Sequence, residues 1–356
     1  MIGFLVVVAA LAGSGPTGAR LTVDPAPDSR PIVPWLELSP SSDGPGAGRR
    51  IVFVTGDEEY RSEESMPQVA RMLSRHHGFH CTVLFAVDPK SGEVDPGIQT
   101  NLPGTERLAS ADLMVIFTRF RDLPDAQMKP IVDYVESGRP IVALRTATHA
   151  FDCRERKTFE RYGWRSESWP GGFGRHVLGE TWIAHHGKHG EQSCRGVVVP
   201  SAKSHPILRG IGDGDVWDPA DVYAVRLPML PDITPLLRGE VLDGMAPDAP
   251  PAPPVETPQG EARDPNDPTM PIAWTREVVW PKDESRSERR TRVFATTIGA
   301  SQAFRREGSR RLIVNACYWA LGLEVPERAK VDIVEPFDPT PFGFGKHRRG
   351  LRPHEH

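Results

Sequence analysis

Five of the twelve histidines in this 356-residue chain (His149, His176, His185, His186 and His189) fall between positions 149 and 189. An apolar run, Ile141 to Leu144, breaks into the polar turn Arg145-Thr146-Ala147-Thr148-His149, and the segment from Gly179 ends in His185-His186-Gly187-Lys188-His189. Imidazole exchanges protons near neutral pH and is the commonest metal ligand. His149 and His185 are therefore the candidates for proton transfer, with Arg145 beside them to stabilise negative charge developing on a substrate oxygen. The same region supplies a candidate divalent-metal set, His185, His186 and His189, although it lacks the glutamate of the zinc-helix pattern. In a helix His185 and His189 would share one face, but Gly187 between them fits a loop equally well. A hydrogen-bonded polar cluster is the third reading.

Other groups join these if each lies at the end of a strand. Glu58, Glu59, Tyr60 and Arg61 follow the run Ile51 to Thr55. Glu58 could orient a histidine and Glu59 or Tyr60 could hold a ligand hydroxyl, or the loop could cap a helix through Ser62 or Ser65. Arg119 and Arg121 follow the run Leu113 to Phe117 and could clamp an oxyanion, or pair with Glu58 or Glu59. Thr148, His186, Asp221 and Tyr223 complete the substrate-binding candidates. Trp274, Trp182 and Trp217 could stack on a ligand ring or fill the core. No nucleotide cofactor is expected, because no phosphate-cradling glycine fingerprint is present.

The elements that must carry these residues read as strand and helix in alternation. Apolar, β-branched runs begin at Ile51, Cys81, Leu113 and Ile141; helical spacing of Met66, Val69, Ala70, Met72 and Leu73, and a segment from Pro124 to Ser137, fall between them. That alternation predicts a parallel sheet with right-handed crossovers, whose carboxyl edge is where loops converge on ligands. Further strands are expected at Val197, Asp221, Pro271 and Arg292, and a closing helix from Ser309 to Leu321.

Residues 1–20 have the apolar core and small-residue context of a signal peptide, which predicts a periplasmic or secreted protein, an uncleaved anchor being the alternative. Residues 21–48 read as a disordered linker, 49–324 as the α/β domain with a mobile insertion at 246–268, and 325–356 as an extended or disordered tail. No transmembrane span is expected in the mature chain. A net charge of -4 with mixed signs gives no footprint for nucleic acid and points to a small-molecule partner. Cys81, Cys153, Cys194 and Cys317 lack zinc spacing; Cys153 and Cys194 flank the histidine segment and could form a disulfide in an exported protein. The sequence carries no signal for an oligomeric state.

Seven pieces occur in one order: Gly-Asp-Glu-Glu-Tyr-Arg from Gly56, Arg-Thr-Ala-Thr-His-Ala-Phe from Arg145, Gly-Gly-Phe-Gly-Arg from Gly171, the run ending at His189, Asp-Val-Tyr at Asp221, Pro-Ile-Ala-Trp-Thr at Pro271, and Arg-Val-Phe-Ala-Thr-Thr-Ile-Gly from Arg292. Together they resemble the ThuA-like (trehalose-utilisation) family over roughly Arg50 to Leu323. The resemblance implies a flavodoxin-like, class I glutamine amidotransferase-like α/β fold, a three-layer sandwich with a mostly parallel sheet, and a carbohydrate or keto-sugar as partner in sugar utilisation. Glutamine amidotransferases place a cysteine nucleophile at the elbow where this chain has Arg145, Thr146 and Ala147, so glutaminase chemistry is not expected. Many ThuA-like proteins carry a histidine at the place of Arg145, an aspartate at that of His149 and a histidine at that of Ala300. Three functions remain: an acid/base enzyme such as a keto-sugar isomerase or glycoside-type hydrolase, a sugar-binding module without turnover, and a metal-dependent hydrolase.

Overall fold

The computed structural model describes residues 33–41, 43–155, 157–256, 262–281 and 287–356. The expected signal peptide lies outside them. Four apolar runs form the strands β2 (Arg50–Gly56), β3 (His80–Leu84), β4 (Leu113–Thr118) and β5 (Ile141–Leu144). They pair in parallel in the order β3-β2-β4-β5, and β14 (Arg289–Thr296) continues the parallel set beside β5. These strands are covered on both faces, which is why they read as continuous apolar runs rather than alternating ones. Helices α1 (Ser62–His77) and α3 (Glu307–Ala320) pack on one core, while α2 (Asp125–Glu136) closes the other. The result is the three-layer α/β sandwich that the family resemblance implied.

The sheet is mixed and ten-stranded. Beyond β14 it continues antiparallel through β13 (Met270–Trp280), β10 (Ile233–Val241), β7 (Cys194–Val198) and β8 (Trp217–Asp218). At the other edge, β1 (Trp35–Leu38) pairs antiparallel with β3. This strand falls inside the stretch whose composition reads as linker, so part of 21–48 belongs to the sheet. Two short ladders stand apart: β6 (Ala184–His185) with β9 (Tyr223–Ala224), and β11 (Val255–Glu256) with β12 (Ala262–Arg263), the latter within the expected insertion.

Residues 325–356 are extended but not loose. Val325, Ala329, Val331 and Val334 are buried in the core that α1 and α3 share, and the Leu351 carbonyl accepts a hydrogen bond from Val94 N–H. The four cysteines are free and buried, so Cys153 and Cys194 form no disulfide. Among the described residues no helix is long and apolar enough to cross a membrane.

Candidate functional site

The loops after β2, β4 and β5 and the β6–β9 ladder meet at the carboxyl edge of the parallel strands, as open α/β sheets dictate. The loops after β4 and β5 are zipped together: Phe120 N–H donates to the His149 carbonyl (3.0 Å) and Arg121 N–H to that of Ala150 (2.8 Å). A cavity of about 440 Å³ opens there. Phe120, Trp164, Trp182 and Tyr223 give it aromatic walls, and Glu59, Arg119, His149, His185, Gln99, Asp152, Arg154 and Arg165 supply its polar groups.

Arg145 does not reach the cavity. It occupies the turn after β5 with a left-handed φ of 45°, the backbone shape of a nucleophile elbow, but its side chain is fully buried. Its guanidinium donates to the Asp221 and Thr297 carbonyls (both 2.7 Å), to Tyr60 Oη and to Asp221 Oδ1 (both 3.2 Å). The rings of Tyr60 and Tyr223 lie 4.4 and 3.9 Å from it, so cation–π attraction adds to the ion pair. Gly299 makes room: a Cβ there would lie 2.6 Å from that of Arg145. The expected role for Arg145, stabilising charge on a substrate, is thus replaced by a structural one. Tyr60 goes with it, packed in the interior rather than on the cavity.

What Arg145 holds is Asp221, and Asp221 holds two histidines. His185 Nδ1 lies 2.7 Å from Asp221 Oδ2, and His189 Nδ1 2.9 Å from Oδ1. The β6–β9 register sets His185 opposite Tyr223, two residues past Asp221. Burial by itself would raise the Asp221 carboxyl, but hydrogen bonds from both histidines and the Arg145 charge hold it well below the usual carboxylate range. With Nδ1 donating to that carboxylate, His185 keeps Nε2 free for a proton from a ligand.

His189 is locked between two carboxylates. Its Nε2 lies 3.0 Å from Glu59 Oε1, and the hydrogen bonds to Asp221 and then Glu59 push its pKa up to about 9. Because this folded value exceeds the unfolded one of about 6.5, the stability from His189 is complete below pH ~6.5 and disappears as the pH rises through ~9. The melting temperature of the native protein should therefore exceed that of His189→Gln by more at pH 6 than at pH 10. An equal difference at both values would exclude a charged His189.

His149 is nearly buried, within 4.8 to 5.9 Å of the rings of Phe120, Trp182 and Tyr223. Burial first, then the charges of Arg119 and Arg145, drive its pKa well below the ordinary histidine value, so it is neutral at physiological pH. Thr148 Oγ1 donates to the Arg145 carbonyl (3.2 Å) and so accepts from His149 Nδ1 (3.1 Å). Thr148 thus orients His149 and does not line the cavity.

The remaining candidates divide. Glu59, Arg119 and Tyr223 line the cavity. Glu58 does not; it is held by Arg119 and by Arg121, whose Nη2 lies 2.8 Å away, the ion-pair alternative for this loop. Ser62 caps no helix terminus, since Arg61 with φ 64° is the N-cap of α1. His186 turns from the cluster, its Nε2 2.7 Å from the Pro265 carbonyl, so the trio His185, His186 and His189 is not a ligand set. The trio that does converge is His185, His189 and Asp221. Trp274 is fully buried, its Nε1 donating to the Leu178 carbonyl (2.7 Å), and belongs to the core. Trp217 lies on an outer strand with its Nε1 on Ser193 Oγ (3.2 Å). Sequence reasoning missed Gln99, Phe120, Asp152, Arg154, Trp164 and Arg165; an aromatic directly after the β4 run, at the same edge as the histidines, was the available signal for Phe120.

A sequence profile of the ThuA family, described as trehalose utilisation, matches residues 50–320. No curated protein matches the chain. The solved structures that match the chain include two ThuA-like proteins. A protein described as ThuA-like from Parabacteroides merdae is 14% identical, with a TM-score of 0.44 over 83% of this chain and 97% of that one. A second, from Bacteroides uniformis, is 16% identical, with a TM-score of 0.43 over 78% and 93%.

Proposed function

Because the chain belongs to the ThuA (trehalose-utilisation) family, we propose that the cavity is a carbohydrate site in which His185 moves a proton on a bound sugar or keto-sugar. The observation that carries this reading is the His185–Asp221 pair at an aromatic-walled cavity. A sugar ring offers apolar C–H faces to aromatic walls and hydroxyl edges to charged groups, and this lining supplies both. His185 Nε2 takes a proton from a hydroxyl, or from a carbon beside a keto group, while Asp221 fixes the tautomer and stabilises the imidazolium. Arg119, which lines the cavity beside His149 and His185, is a cation available to a developing oxyanion. Neutral His149 offers Nε2 as a hydrogen-bond acceptor. No cysteine takes part.

A second reading rests on one observation: His185, His189 and Asp221 present ligand atoms within 4.8 Å of one another. Two imidazoles and a carboxylate would suit a divalent ion such as zinc or manganese. Each of the three already has a protein partner, so an ion would have to displace the bonds to Asp221; the metal-free reading is therefore preferred. Both are tested by screening the purified protein for turnover of glycosides and 3-keto-glycosides, before and after chelation. Turnover that survives chelation is expected. Turnover abolished by chelator and restored by zinc or manganese would establish the metal reading, and binding without turnover would leave a sugar-binding module.

A further inference from the structure

The C-terminal segment crosses the loop that follows β2 and is fixed there. The Glu64 carboxylate accepts from Thr340 N–H (2.7 Å) and Thr340 Oγ1 (2.8 Å). Gly343 N–H donates to the Glu59 carbonyl (2.7 Å), and the Arg61 guanidinium donates to the Gly343 carbonyl. Phe342 stacks on Tyr60 with centroids 5.6 Å apart and meets His189 edge-on at 5.5 Å. The tail therefore rests against the same loop that brings Glu59 to the cavity.

Phe344, two residues on, behaves differently. It is 60% exposed, although the segment bearing it is anchored. Its ring lies 5.0 Å from the Arg119 guanidinium, which is also 4.7 Å from Phe120. Arg119 and Phe120 both line the cavity, so Phe344 stands next to its wall. With Arg119 over its ring, this exposed phenylalanine still has surface to offer a stacking ligand beside the pocket. The cavity, at about 440 Å³, lies toward the lower end of the ~300–1,000 Å³ range of ligand pockets. Phe344 is not among the residues that line the cavity, so a ring stacked on it lies outside, next to a ring held within.

We infer that Phe344 forms an outer subsite, stacking the second ring of a two-ring glycoside whose first ring occupies the cavity; this rests on the carbohydrate reading above. The C-terminal segment then sets the preference between one-ring and two-ring substrates, while the loops of the sheet edge handle the reacting ring.

The test is calorimetric titration of the full chain and of Phe344→Ala and Phe344→Trp with trehalose and methyl α-glucoside, each also as its 3-keto form. The native protein is expected to bind the two-ring ligand more tightly than its one-ring counterpart. In Phe344→Ala that ratio should fall by about 3- to 10-fold, the range for one aromatic contact, and Phe344→Trp should keep it. A native protein with no two-ring preference, or a ratio unchanged in Phe344→Ala, overturns the subsite. Failure of the native protein to bind any of the four ligands overturns the carbohydrate reading and the subsite with it, and is told apart because the one-ring ligands fail too.

Discussion

His185→Ala should lower turnover of the sugar substrate by on the order of 100-fold or more, the usual contribution of a positioned acid/base group. The melting temperature should hardly move, because the His185 side chain is 39% exposed and Asp221 keeps its bonds to Arg145 and His189. His149→Ala offers the contrast. A neutral wall residue chiefly positions substrate, so its loss should raise KM more than it lowers kcat. Equal losses of kcat in the two variants would assign the proton transfer wrongly, and unchanged turnover in His185→Ala would remove it from the chemistry.

Arg145→Ala should destabilise the fold by about 3–5 kcal/mol, the cost of removing one partner from a buried ion pair. The melting temperature should drop by on the order of 10 °C. Both members of the pair are fully buried, so no water can replace the guanidinium without rearrangement. Since Asp221 orients His185, turnover should fall as well. The double variant Arg145→Met/Asp221→Asn should recover part of the stability but not the turnover, because it removes the unpaired buried charge while leaving His185 without its carboxylate. A drop of less than about 2 °C in Arg145→Ala would show that the pair is not the anchor of the site.

Strands β2 to β5 were legible because strands covered on both faces appear as short apolar runs between turn residues. Strand β1 was not: four residues pairing at a sheet edge leave little pattern in a stretch rich in proline, serine and glycine. The tail's proline content reads as extended or disordered chain, but Val325, Ala329, Val331 and Val334 enter the core at irregular spacing, which no helix or strand period reveals. In the site, the chemistry-bearing types and their shared edge could be read, including Glu59, Arg119, His149, His185 and Tyr223 on one cavity. The direction of a side chain could not. Arg145 points inward because an unusual backbone angle and Asp221, 76 residues away, place it there, and His186 leaves the cluster because successive residues beside a strand face opposite ways.

On the proposed carbohydrate reading, a sugar sits in the aromatic cavity with its reacting atom at His185. A crystal structure of His185→Ala soaked with the glycoside that the native protein turns over tests this most directly. The predicted result is a ring bounded by Phe120, Trp164, Trp182 and Tyr223, with an oxygen or carbon of the ring filling the space left by the imidazole and Arg119 within hydrogen-bond reach of a sugar oxygen. A sugar bound elsewhere, or one whose nearest atom lies beyond the reach of residue 185, would contradict it.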